Sequence, residues 1–159
     1  MDLILLRHGK AEDDHPKGDS ARKLVGKGRE QAARAARLLK QAARLPAIVL
    51  TSPYARARET AEIFCETAGM PGPVSLSWLG CGMSPDTALA ELAGFSEFDR
   101  ILIVGHEPDF SHLVTTLLGA AAGAIQVKKG ALVGIRIAPP STRGTLRFLI
   151  PPKLAEDGE

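Results

Sequence analysis

Aromatic residues make up only 4% of these 159 residues, with five Phe, one Tyr and one Trp. That scarcity argues against a nucleic-acid binder built on base-stacking platforms. The basic residues are scattered and form no concentrated stripe of the kind that tracks a DNA groove. Cysteine is nearly absent as well. Cys65 and Cys81 are too few to staple a chain of this size, and without a secretory signal they read as reduced thiols in the cytoplasm. Long hydrophobic runs are lacking at the N-terminus: Leu3-Ile4-Leu5-Leu6 meets Arg7 and His8 at once, too short for a signal h-region or a membrane span. No internal repeat or low-complexity segment is evident. What is present is globular, 45% hydrophobic and 24% charged, and is expected to form one domain over residues 1–159. A net charge of +2 suits a small anionic substrate better than a DNA groove.

Leu3–Leu6 is a continuous apolar run, the pattern of a strand buried on both faces of a parallel sheet. A polar, glycine-containing loop is expected from Gly9 to about Gly28. Ala32, Ala35, Ala36, Leu39 and Ala43 then recur at helical spacing, opposite a face of Glu30, Arg34, Arg37, Gln41 and Arg44. Leu45-Pro46 stops that helix, and Ala47–Leu50 gives a second buried strand. Ser52-Pro53 reads as the cap and first-turn proline of a helix ending at Gly69. Val74–Leu76 is a weak strand, and Ser84-Pro85-Asp86 caps a short helix through Leu92. Arg100–Val104 is the third strong strand. After Gly105-His106-Glu107-Pro108 a helix buries Phe110, Leu113, Val114, Leu117 and Leu118 and stops at Gly119. Ala131–Ala138 and Thr145–Ile150 form a closing antiparallel hairpin. The fold class is α/β: a three-layer α/β/α sandwich with a mostly parallel central sheet and a C-terminal antiparallel hairpin.

Sheets of this kind bind ligands beyond the carboxyl ends of their strands. Three strong strands end there in Arg7-His8-Gly9, in Thr51-Ser52-Pro53-Tyr54-Ala55-Arg56 and in Gly105-His106-Glu107. Guanidinium forks match phosphate oxygens and keep their charge. A neutral imidazole attacks phosphorus in line, and the arginines offset the repulsion. Gly9 is expected to let the backbone approach a phosphate closely. A metal site is the competing reading, but His8, His15, His106 and His112 show no helical ligand pair and no cysteine cluster. His112 is expected with Asp109 and Thr116 on a solvated helix face, and His15 in a polar loop. Arg34, Arg37 and Arg44 read as a solvated helix face, and Ser52 as a cap instead of a nucleophile.

With these segments in view, the chain resembles the histidine phosphatase superfamily, phosphoglycerate mutase-like in fold, and within it the small phosphohistidine phosphatases of the SixA type. The resemblance spans nearly the whole chain. It rests on Leu6-Arg7-His8-Gly9-Lys10-Ala11, on Asp19-Ser20-Ala21-Arg22-Lys23-Leu24 with Gly28, on Ser52-Pro53-Tyr54-Ala55-Arg56-Ala57-Arg58-Glu59-Thr60, and on Val104-Gly105-His106-Glu107-Pro108. It implies that His8 is phosphorylated while Arg7, Arg56 and His106 bind the transferring phosphoryl group. The family arginine falls on Arg56, leaving Arg58 as an exposed helix residue. Arg22 matches a basic rim position for substrate contact, and Asp19 an acidic loop position that binds substrate by orienting water or a leaving group, with an ordinary loop or capping role as the alternative. No metal or organic cofactor is required. The implied partner is a phosphohistidine-bearing protein, a phosphotransfer domain or phosphocarrier, with phosphate as product. A cytoplasmic monomer is expected separately, since no unusually apolar helix face compels a dimer.

One departure narrows the substrate. Larger members that cleave phosphate esters often carry an acid after the third strand, but Leu76–Ser84 has no carboxylate before Asp86. An alkoxide leaving group needs that proton, worth about 10²–10⁴-fold, whereas a protonated phosphohistidine ring needs it less. A small-metabolite phosphomonoesterase or mutase, a silent phosphate-binding module and a nucleic-acid-binding module stand as alternatives. Protonation of His8 is expected to stop the reaction in acid, and a cationic role for His106 to weaken it in base.

Overall fold

The apolar runs become strands whose successive side chains enter two different layers. The computed structural model describes residues 1–156. Its strands are β1 (Asp2–Arg7), β2 (Ile48–Thr51), β3 (Val74–Ser75), β4 (Arg100–Gly105), β5 (Leu132–Ile137) and β6 (Gly144–Ile150). They form one sheet in the order β3-β2-β4-β1-β5-β6. β1, β2, β3 and β4 are mutually parallel, while β5 runs antiparallel to β1 and to β6.

Side chains on a strand alternate, so burial of both faces turns the whole run apolar. Leu3, Leu5, Ile101 and Ile103 pack with Ala88, Leu89 and Leu92 of α3 (Pro85–Ala93) and with Phe110, Leu113, Val114 and Leu117 of α4 (Asp109–Leu118). Ile4, Leu6, Leu102 and Val104 enter the other layer. There they meet Ala35, Ala36 and Leu39 of α1 (Gly26–Gln41) and Ala57, Ala61, Phe64 and Cys65 of α2 (Ala55–Ala68). A short α5 (Pro152–Glu156) follows the hairpin. The three layers are those expected from the sequence.

Several local expectations need correction. Ala43 is no part of the α1 core face: the helix ends at Gln41, and Ala43 is exposed with φ of 54°. α1 begins at Gly26, two residues ahead of Gly28, because Val25 already has extended backbone and serves as its N-cap. Leu118 is only partly buried against its core. Ser52-Pro53 does not open α2, whose N-cap position is Tyr54. Ser84, by contrast, caps α3 as expected, its side chain accepting from the Thr87 N–H at 3.1 Å.

The register sets the level of the site. Leu6 pairs with Val104 and Arg7 with Gly105, while Thr51 pairs with Val104. The chain leaves all three strands at one height, held by the His8 N–H on Gly105 O at 3.1 Å and the Ser52 N–H on Val104 O at 3.0 Å.

Candidate active site

His8, Ser52 and His106 are therefore neighbours because they follow three adjacent parallel strands. The His8 and His106 ring centroids are 5.3 Å apart. Both imidazoles are buried, at 5% and 1% exposure, so neither rests on bulk water for its hydrogen bonds. His8 Nδ1 lies 2.8 Å from its neighbour's carbonyl, Gly9 O, which accepts and so requires the proton on Nδ1. Nε2 is then the lone-pair atom. Arg56 Nε donates to it at 3.2 Å, in agreement.

Arg56 comes from the first turn of α2 and is 5% exposed. Its Nη1 donates to Asp19 O at 2.9 Å and its Nη2 to Asp19 Oδ2 at 3.3 Å. Its Cζ lies 5.2 Å from the centroid of the Tyr54 ring. Arg7 is anchored from the other side, donating through Nη1 to Val127 O at 2.9 Å. Arg22 and Asp19 form a rim pair at 2.9 Å, with Arg22 Nε also on Glu12 O. The Asp19 carboxyl is held below its ordinary value, first by the Arg22 hydrogen bond.

The loop after β1 is fixed by backbone packing. A Cβ on Gly9 would stand 2.4 Å from Gly28 O, and one on Gly28 would stand 2.0 Å from Lys10 O. The close approach that Gly9 permits is thus to Gly28, not only to a ligand. Thr60 Oγ1 accepts from the Gly9 N–H at 3.1 Å and donates to Arg56 O at 2.7 Å, tying the two motifs together.

Burial is the main cause that lowers both histidine pKa values, His8 to about 3 and His106 to about 4, with the cationic arginines adding to it. The free protein holds two neutral imidazoles, so the expected basic limb from a cationic His106 has no basis there. Burial also lowers Arg7, with Glu107 opposing and Arg56 reinforcing the shift. Arg7 Nε and His106 Nδ1 are buried with no protein partner, an arrangement native proteins keep where a ligand will serve.

The site residues named from the sequence divide clearly. His8, Arg56 and His106 converge, Gly9 packs beneath them, and Asp19 and Arg22 close the rim. His112 is exposed on α4, and the His15 Nδ1 accepts from the Lys17 N–H. Asp109 is not on a solvated face: it is 7% exposed, and its Oδ2 accepts from the N–H groups of Gly82 and Met83 at 2.9 and 3.1 Å. Ser52 is more than a turn residue, because its Oγ lies 2.8 Å from His106 Nε2 and accepts from the Tyr54 N–H at 3.2 Å. Tyr54, stacked edge-on to His106 at 5.0 Å, and Cys81, 3.7 Å from Arg56 Nη2, also border the site. Only their position beside Arg56 and within Leu76–Ser84 hinted at that. Burial raises the Cys81 thiol, with Arg56 opposing.

Comparison with known proteins agrees with this fold. Residues 3–76 match the histidine phosphatase superfamily (branch 1). An uncharacterized protein of Picosynechococcus sp. is 31% identical over 145 residues, covering 86% of this chain and 85% of that one. The solved structure of the protein histidine phosphatase SixA complexed with tungstate superposes with a TM-score of 0.87 at 24% identity, covering 97% and 99% of the two chains. The α-ribazole phosphatase from Shigella flexneri superposes with a TM-score of 0.77 at 23% identity, covering 96% and 97%. The chain belongs to the histidine phosphatase superfamily. Its fold is shared both with SixA and with an α-ribazole phosphatase.

Proposed function

We propose that this chain is a metal-independent cytoplasmic phosphatase that removes phosphate from phosphohistidine on a partner protein through a phospho-His8 intermediate. The observation that carries the reading is the His8 tautomer: its proton is committed to Gly9 O, and its Nε2 lone pair faces the Arg56 guanidinium. A buried imidazole of this kind is neutral at pH 7, and its lone pair attacks once the Arg56 Nε–H turns from Nε2 to the incoming phosphoryl oxygens.

In the first step His8 Nε2 forms a bond to phosphorus while the P–N bond of the substrate breaks. The departing ring, protonated on its other nitrogen, leaves as neutral imidazole. Water then attacks phospho-His8, inorganic phosphate departs, and His8 regains its lone pair. Arg7, Arg56 and His106 stabilise the equatorial oxygens in both steps. The Ser52 hydroxyl accepts from Tyr54 and gives its own hydrogen to His106 Nε2, which leaves the proton on Nδ1, the atom without a protein partner. Asp19 and Arg22 orient Arg56 and contact the substrate at the rim, and Gly9 keeps the loop close to the phosphoryl group.

Proton supply separates this substrate from an ester. Leu76–Ser84 has no carboxylate. Asp109 is occupied by two backbone N–H groups, and Glu107 accepts from the Ser111 N–H at 2.7 Å and from the Ser111 hydroxyl. Asp19 at the rim is ion-paired with Arg22 and Arg56, so none of these carboxylates is uncommitted for protonating an alkoxide, and phosphohistidine needs that help least. The fold shared with an α-ribazole phosphatase keeps a small-ester reading in competition. A panel of a phosphohistidine peptide, a sugar phosphate and an aryl phosphate, run with wild type and His8→Ala, separates the two. Turnover is expected on the peptide and lost in the variant; efficient sugar phosphate turnover with none on phosphohistidine overturns the reading.

A further inference from the structure

Beside the phosphate site lies an open depression of about 340 Å³ lined by Arg7, Lys10, Lys27, Gln31, Lys128, Lys129 and Pro152. These four lysines come from three places in the sequence and are brought together by the fold. Lys10 follows the β1 motif, and its backbone N–H is held by Gln31 Oε1 at 2.9 Å. Lys27 lies in the first turn of α1. Lys128 and Lys129 precede Gly130, whose N–H bonds the carbonyls of both Arg7 and His8. All four side chains are exposed, and among the described residues none makes an ion pair. Burial lowers the Lys129 ammonium from its ordinary value, with the charges of Arg7, Arg22 and Lys10 adding to the shift and Asp13 opposing it.

We propose that this lysine apron is a docking surface for a carboxylate-rich face of the phosphorylated partner protein, steering the phosphohistidine into the pocket beside it. The proposal deepens the function above and rests on it. A chain of net charge +2 that gathers four unpaired lysines next to one site concentrates its field there. The alternative occupant, a small polyphosphate, needs convergent buried donors. Here the lysines are exposed on flexible stems and do not converge from buried positions. Diffuse, mobile positive charge matches a surface of carboxylates, where complementarity acts chiefly on capture.

The test compares two phosphohistidine peptides, one flanked by Asp and Glu and one by Ser and Gly, with free phosphohistidine. Wild type and the triple variant Lys27→Glu/Lys128→Glu/Lys129→Glu are assayed at about 50 and about 300 mM salt, where screening differs strongly. Wild type is expected to prefer the acidic peptide by about tenfold in kcat/KM at low salt, the low end of steering effects. The preference should shrink at high salt and vanish in the variant, while free phosphohistidine turns over within about twofold of wild type. Equal use of both peptides by wild type, or a preference kept by the variant, overturns the surface. Lost turnover of free phosphohistidine in a folded variant overturns it too, as does tripolyphosphate inhibition that the variant loses with no preference between peptides. Phosphoserine peptides with the same flanks separate the two claims. If only these are cleaved, an acidic preference lost in the variant upholds the surface while the phosphohistidine reading fails.

Discussion

β1, β2 and β4 run in parallel, buried on both faces, and the chain leaving each one carries groups of the phosphate site. β5 and β6 continue the same sheet in an antiparallel hairpin, and β6 is half-exposed along its length. The hairpin's link to the site is the loop ahead of β5, where Val127 O and the Gly130 N–H hold Arg7 and His8. Parallel strands stack their carboxyl ends on one edge, so chemistry accumulates there. An antiparallel pair divides its ends between two edges and serves as closure. The two halves should therefore respond very differently to substitution.

The sharpest contrast is at Arg56. Arg56→Ala should lower kcat by about 10²–10³, the usual cost of one preorganised donor. Arg56→Lys should recover little of it, because the fork reaching His8 and Asp19 is lost. Steady-state kinetics on a phosphohistidine peptide reads both. Gly9→Ala comes next: its methyl would collide with Gly28 backbone at 2.4 Å, so both melting temperature and activity should fall. Ser52→Ala should cost about tenfold in kcat with little change in KM, since it acts through His106, and Ser52→Thr should restore part of it.

The pH dependence sharpens the same half. With His8 at about 3 and His106 at about 4, kcat/KM should stay level from neutral pH to about pH 5 and fall below, with no basic limb from His106. The unfolded chain binds these protons near pH 6.5 and the folded one does not, so stability is complete above that value and drains as pH falls toward 4 and 3. Each histidine contributes about 1.4 kcal/mol per pH unit across that window, readable by denaturant melts. The smallest effect belongs to the hairpin. Leu146 on β6 is 42% exposed, so Leu146→Thr should change stability by about 0.5 kcal/mol or less and leave kcat unchanged.

The fold was legible where burial wrote it into composition. Leu3–Leu6 and Arg100–Val104 carry no polar alternation because both their faces are covered, and Ser84-Pro85 and Gly119 mark helix ends by local chemistry. The convergence of His8, Arg56 and His106 followed from parallel strand ends alone. Ser52 misled because a serine before proline looks like a cap, whereas its partner, His106, is 54 residues away. Asp109 misled for the same reason, its helical face implying solvent while a distant loop brought N–H donors to it. The lysine apron was invisible because its members come from three separate segments of the chain, and scattered charge in sequence says nothing of charge in space.

Intact-mass and peptide-level detection of an acid-labile phosphoryl group, after brief mixing with a phosphohistidine peptide at neutral pH, tests the central claim most directly. A single phosphoryl group is expected on His8, absent from folded His8→Ala, which turns over no substrate. A phosphoryl group on any other residue, or a fully active His8→Ala protein, would contradict it.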